Sequence, residues 1–260
     1  MNIPFLSTQP SSDLRCETLI QRKWRHLKHR IIYRLGGTPN EKIPQNSFHN
    51  MSDMLAGLRR RGQEIATVLD VGASNGQWSN LSLKEYPEAK YLLLEPNEFH
   101  FPSLEAFCRE HSNATHVPCV AGRSVGRLSF DGSEPFGGLA SELSDTNKLP
   151  ATSIDHEVRT RGLPGPYLIK LDTHGFEVPI LEGAQYALKG TAALIIECYP
   201  RSLGGIGIPF WEMATRLREQ GFQCVDIADP LYRNRDGAFW QMDMLFVHHN
   251  RPECMDARYV

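Results

Sequence analysis

No run among the 260 residues is long and apolar enough to cross a bilayer, and residues 1–10 lack the charged and apolar blocks of a secretory leader. No C-x-x-C pair occurs. The six cysteines, at 16, 108, 119, 198, 224 and 254, are scattered, which argues against a zinc or disulfide framework. Cys119, Cys198 and Cys224 fall in or beside apolar, strand-like runs, where a cysteine serves as a small buried hydrophobe, so reduced thiols and a cytoplasmic location are expected. The G-x-G-x-x-G fingerprint is absent, and so is the lysine of a P-loop, which removes two common phosphate cradles. There is no internal repeat. The net charge of −2 gives no overall pull towards nucleic acid or an anionic membrane, but it is uneven: residues 1–62 carry +7 and the remainder −9.

What is present centres on residues 66–76, ATVLDVGASNG. Residues 67–71 are apolar and β-branched without polar alternation, as in a parallel strand covered on both faces. Gly72 and Gly76 permit a tight turn, and residues 77–86 then read as a helix ending before Pro87, so the turn's amides are expected to point at an anionic group. A second apolar strand, residues 91–94, ends in Glu95-Pro96, where a doubly wound fold grips ribose hydroxyls. Asp70, Gly72, Gly76 and Glu95 at this spacing suit S-adenosylmethionine, which carries a ribose and an ammonium but no phosphate. The intervening Ala73, Ser74 and Asn75, together with Pro96 and Ala121, complete the expected cofactor wall.

Before this stretch, residues 13–35 show an apolar stripe (Leu19, Ile20, Trp24, Leu27, Ile31, Leu35) under a basic face, read as a helix packed on the domain edge, its charges solvated. Residues 38–47 are a Pro- and Asn-rich loop, and Ser52 opens a second helix to Arg61. After Glu95 come a helix over 101–111, a strand over 115–121, and a turn and strand over 122–130. Residues 131–150, rich in Gly, Pro and Ser, read as a long loop placed to act as a lid or substrate loop. A helix capped at Thr152 or Ser153 runs to about Arg161. A strand over 167–171 leads into Asp172-Thr173-His174-Gly175, followed by one helix to Leu188. A strand over 192–196 ends in Glu197. A helix over 210–220 and two strands, 222–227 and 242–248, joined by a long polar connection, complete the chain. Alternating strands and helices with an antiparallel pair at the end predict a seven-stranded, mostly parallel sheet.

Ligands of such sheets sit beyond the carboxyl ends of the strands, and the strand ends here are Asp70, Glu95, Asp172 and Glu197. With Asp70 and Glu95 given to the cofactor, Asp172, His174 and Glu197 remain for catalysis. Transfer of a methyl group to a hydroxyl requires alignment and removal of the hydroxyl proton. His174 suits that proton; Asp172 could take it instead, orient His174, or share a divalent cation such as Mg²⁺ with Glu197. Glu177 reads as a first-turn carboxylate that complements its helix dipole.

VLDVGASNGQWS, LLLEPN, LIKLDTHGFEVPILEGA and LIIE together resemble the FkbM family of S-adenosylmethionine-dependent methyltransferases over roughly residues 65–247. The resemblance implies a Rossmann-like class I fold and O-methylation of a small-molecule hydroxyl on a sugar or other natural product. The sequence departs from the pattern at Ser74 and at His174, where Glu or Gln is commoner. The expected organisation is an N-terminal helical extension (1–62) acting as a lid or homo-oligomer contact, a catalytic domain (63–250) and a tail (251–260). RNA ribose 2′-O-methylation is the alternative suggested by Lys170, Asp172 and Glu197, but the acidic catalytic region speaks against it. A third reading is a cofactor-binding protein without turnover.

Overall fold

The computed structural model describes residues 49–203, 207–256 and 258. In chain order its elements are α1 (Met51–Arg60), β1 (Thr67–Val71), α2 (Gln77–Glu85), β2 (Lys90–Leu94), a 3-10 turn (Glu98–His100), α3 (Phe101–Glu110), β3 (Ala114–Val117), β4 (Val120–Ala121), β5 (Gly126–Asp131), β6 (Leu139–Ser141), β7 (Lys148–Thr152), α4 (Ile154–Thr160), β8 (Tyr167–Leu171), α5 (Glu177–Glu182), α6 (Gln185–Lys189), β9 (Thr191–Cys198), α7 (Phe210–Glu219), β10 (Phe222–Tyr232), β11 (Phe239–His248) and α8 (Pro252–Met255).

The main sheet has seven strands in the order β10-β11-β9-β8-β1-β2-β3. β1 lies centrally and pairs in parallel with β2 and β8, while β3 and β9 continue the parallel pairing outwards. β11 runs antiparallel to both β9 and β10. The expected seven-stranded, mostly parallel sheet is therefore present. Every residue of β1 and β8 is buried, because helices cover both faces. Leu69, Val71, Ile169, Leu171, Leu194 and Ile196 pack with residues of α4, α5, α6 and α7 on one face. Val68, Leu93, Leu168, Ile195, Leu245 and Val247 face the other way, against Met54, Leu55 and Leu58 of α1 and Leu104 and Phe107 of α3.

Several expectations are corrected. The run over 115–121 is two strands: Pro118, which has no amide hydrogen to donate, separates β3 from β4, and β4 leaves for a second sheet ordered β4-β7-β5-β6. The 131–150 stretch is thus not wholly a loop, since β6 and the start of β7 lie within it. The single helix to Leu188 is broken at Gly183 into α5 and α6. A Cβ there would meet the Gly122 carbonyl at 2.2 Å, so the break lets the backbones of the two sheet connections touch. β10 and β11 reach Tyr232 and back to Phe239, so the connection between them is short rather than long. α1 is capped by Asn50, whose side chain accepts from the Asp53 amide, and not by Ser52. α1 packs on the main sheet, with Met54, Leu55 and Leu58 in one cluster with Val68 and Leu93. The helix over 13–35 and the loop over 38–47 lie outside the described residues. Among the described residues no helix is long and apolar enough to cross a membrane.

Candidate active site

Period-two alternation sets the site before any side chain is considered. Lys170 and Asp172 are two residues apart, as are Ile195 and Glu197, and Asp243 and Leu245, so Lys170, Asp172, Glu197 and Asp243 share the sheet face that carries Leu168, Ile195 and Leu245. Their position beyond or at the carboxyl ends of β8 and β9 opens onto a cavity of ≈ 280 Å³. The cavity runs from Glu95, Pro96 and Ala121 at one end to Asp172, His174 and Glu197 at the other, past Val71, Gly72 and Ser74.

At the first end, Gly72 has φ +77°, and a Cβ on it would stand 2.0 Å from the Asp172 carbonyl oxygen. Only glycine lets the turn after β1 close against the turn after β8. Most amides of that turn are spent inside the protein. Gly72 and Ala73 donate to the Leu94 carbonyl at 2.9 and 3.2 Å, Gly76 to Ala73 at 2.9 Å, and Gln77 to Asn75 Oδ1 at 3.2 Å. The Ser74 amide donates to Glu95 Oε2 at 2.8 Å, and the Asn97 amide to Glu95 Oε1 at 2.8 Å. Glu95 is only 5% exposed. Burial pushes its carboxyl up to about 7 despite those two amides.

The structure does not bring Asp70, Ala73, Asn75 or Gly76 to the cavity wall, whereas Gly72, Ser74, Glu95, Pro96 and Ala121 line it. Asp70 is buried under α2, where its Oδ2 accepts from Ser79 Oγ at 2.6 Å. Burial raises its carboxyl to about 6, with the Ser79 hydroxyl working the other way. The reading of Asp70 as a cofactor ligand is therefore revised. It fastens α2 to β1.

At the second end, Glu177 Oε1 accepts from Thr173 Oγ1 and the Gly175 amide at 3.1 and 3.0 Å, holding the turn in which His174 takes φ +52°. A non-glycine residue in that left-handed region is strained, and its side chain is fixed accordingly. His174 Nδ1 lies 3.3 Å from the Gly138 carbonyl, while Nε2 faces Asp172 Oδ1 at 3.8 Å and Glu197 Oε2 at 3.7 Å. Behind them, Lys170 Nζ lies 3.3 Å from Asp172 Oδ2 and 2.9 Å from Asp243 Oδ1. Burial works to raise the pKa of Asp172, but Lys170 and then His174 more than offset it and hold the group below the usual carboxylate range. Glu197 goes the opposite way: burial, with the Asp172 charge beside it, pushes it well above its ordinary value.

Four contributors went unseen in the sequence. Tyr199 donates its hydroxyl to Glu197 Oε2 and Gln241 its amide to Glu197 Oε1. Tyr199 follows Glu197 by two residues, a spacing that could have flagged it; Gln241 reaches Glu197 only through the β9–β11 pairing. His100 and Phe136 form an edge-on ring pair at 5.0 Å, and His100 Nε2 also meets the Pro135 carbonyl, which ties the segment after β5 over the Glu95 end of the cavity. With Gly138 on His174, that segment touches both ends, so its placement beside the site, expected from the sequence, is observed.

The central β1, the turn through Gly72, the acid at the tip of β2 and the reversed β11 define a Rossmann-like class I methyltransferase fold. The model of the methyltransferase FkbM domain matches residues 70–224, and this chain belongs to that family. No curated protein matches it. Among solved structures it is similar to a methyltransferase FkbM from Methylobacillus flagellatus KT, with 18% identity and a TM-score of 0.47 over 69% of this chain and 43% of that one. This chain therefore spans less than half the length of that relative. It is also similar to precorrin-6y C5,15-methyltransferase from Geobacter metallireducens GS-15 (11% identity, TM-score 0.42, 80% of this chain and 91% of that one). A third is the 1,6-didemethyltoxoflavin-N1-methyltransferase of Burkholderia thailandensis, with 1,6-didemethyltoxoflavin and S-adenosylhomocysteine bound (11% identity, TM-score 0.44, 93% of this chain and 98% of that one).

Proposed function

We propose that the chain is an S-adenosylmethionine-dependent O-methyltransferase acting on a small-molecule hydroxyl. The observation that carries this reading is the division of one cavity into a carboxylate end, Glu95, and an imidazole–carboxylate end, Asp172, His174 and Glu197. The donor set suits the nucleoside: Glu95 offers a buried carboxylate to ribose hydroxyls, and Leu94, Val120, Ala121 and Phe130 supply apolar wall. When bound, S-adenosylmethionine supplies an electrophilic methyl group. Gly72 keeps the floor free of side chain, and Ser74 and Asn97 hold Glu95 in place through their amides.

A hydroxyl must lose its proton as it is alkylated, and that proton leaves at the end of the cavity built from Asp172, His174 and Glu197. Lys170 keeps Asp172 ionised there. The segment from Pro135 to Gly138 roofs the site, which favours a small acceptor over a polymer. The acidic balance of residues beyond 62 supports the same choice.

The test is transfer of a labelled methyl group to a panel of sugars and phenols, with Mg²⁺ and with a chelator, alongside calorimetric titration with S-adenosylmethionine. Labelled product together with nucleoside binding is the expected result. A chain that binds no nucleoside contradicts the reading.

A further inference from the structure

Three carboxylates, Asp172, Glu197 and Asp243, gather around one buried ammonium, Lys170, which is 2% exposed. Carboxyl groups outnumber the ammonium here, and charges taken out of water are costly unless balanced. The remaining lone pairs converge. Asp172 gives Oδ2 to Lys170 and turns Oδ1 towards His174. Glu197 gives Oε1 to Gln241 and one lone pair of Oε2 to the Tyr199 hydroxyl, and that same Oε2 faces His174. A carbonyl can only accept, so the Gly138 oxygen 3.3 Å from His174 Nδ1 places the ring hydrogen there and leaves Nε2 facing the two carboxylates. A backbone carbonyl on the far ring nitrogen is the usual support of a metal-bound imidazole.

We propose that Asp172 Oδ1, His174 Nε2 and Glu197 Oε2 bind one divalent cation of the Mg²⁺/Mn²⁺ class. The three donors lie within 4.8 Å of one another. Neighbouring donors on a magnesium-sized ion stand about 3 Å apart and opposite ones about 4.2 Å, so the 3.8 and 3.7 Å separations of His174 Nε2 from the two carboxylates close by less than an ångström. Two carboxylates and one imidazole suit a hard or borderline ion rather than a thiophilic one. Tyr199 and Gln241 hold Glu197, Lys170 (itself fixed by Asp243) holds Asp172, and Gly138 holds His174, so each ligand has its own support. The cation's role rests on the function proposed above: at the acceptor end it draws in the hydroxyl and lowers its proton affinity.

The probe is Mn²⁺ alone, titrated into the full chain without nucleoside and followed by electron paramagnetic resonance. The expected result is one Mn²⁺ per chain, displaced by excess Mg²⁺, with a nitrogen coupling from the imidazole. His174→Leu and Glu197→Gln should each weaken Mn²⁺ by about tenfold or more while S-adenosylhomocysteine affinity is retained. Absence of a stoichiometric Mn²⁺, or Mn²⁺ bound without nitrogen coupling in the unsubstituted chain, overturns the proposal, and the second measurement needs no variant to fold. Failure of nucleoside binding with the Mn²⁺ signal intact removes the proposed function and leaves the cation site standing; the reverse pattern removes the cation site alone.

Discussion

The Ser74 amide donates to Glu95 Oε2 at 2.8 Å, joining the turn after the central strand to the tip of its neighbour. That bond, with its twin from Asn97, uses part of the lone-pair capacity of Glu95 and aims the remainder into the cavity. Glu95→Gln should therefore weaken S-adenosylhomocysteine binding by about 10- to 100-fold, since a hydrogen bond to a charged group is worth about 1.5–3 kcal/mol. Titration calorimetry measures this directly. An unchanged dissociation constant removes Glu95 from the nucleoside site.

Burial carries the Glu95 carboxyl to about 7, and hydroxyl donors need its ionised form. Nucleoside affinity should rise with pH up to about 7 and then level off, falling about tenfold per pH unit below that point. Folding stability has the opposite sign. The fold holds this proton up to about pH 7, whereas the unfolded chain releases it near the ordinary value of 4.5, so the contribution is full below 4.5 and is lost as pH rises through 7. Urea denaturation across that window should show a weaker decline in Glu95→Gln than in the unsubstituted chain.

Asp70 and Ser79 are both buried, and the Ser79 hydroxyl is the donor to the carboxylate. Ser79→Ala leaves that acid without it, and a loss of about 1–3 kcal/mol is expected. Nucleoside affinity should move much less than in Glu95→Gln. A Ser79→Ala chain of unchanged stability in chemical denaturation would contradict the fastening role given to Asp70.

Asp70 also marks where the sequence was legible and where it was not. All four strand-end acids were visible as charges closing apolar runs, and Glu95, Asp172 and Glu197 do line the cavity. Asp70 lies one residue before the end of β1, on the α2 side, and only the packing of Ser79 against it reveals its partner. The main sheet could be read because buried parallel strands are continuous apolar runs bounded by Gly, Pro or an acid. Of the second sheet β5 was foreseen, as the strand over 122–130, but β6 and β7 were not: they are short and half-exposed, and β7 carries Pro150, so they lack both alternation and an apolar run. Gln241 was invisible for another reason, because its role depends on a pairing between strands more than forty residues apart in sequence.

Gly72→Ala should destabilise the chain by at least about 2 kcal/mol, because a residue with a Cβ is strained at positive φ and its Cβ would also meet the Asp172 carbonyl at 2.0 Å. Thermal unfolding provides the measurement. Tolerance of the alanine would mean that the turns after β1 and β8 do not approach as closely as described.

Asp172→Asn and His174→Ala should each abolish methyl transfer to below about one-hundredth of the original rate, in the range set by loss of an acid–base group, with S-adenosylhomocysteine affinity little changed. Rates and affinities measured on the same preparations separate the two ends of the cavity. Loss of nucleoside affinity in either variant, with rates preserved, would invert the assignment.

The most direct test of the account is a crystal structure of the chain with S-adenosylhomocysteine. The account predicts its ribose hydroxyls on the Glu95 carboxylate, the nucleoside running past Gly72, and its sulfur towards Asp172 and His174. A nucleoside seated away from Glu95, or with its sulfur pointing away from Asp172 and His174, would contradict it.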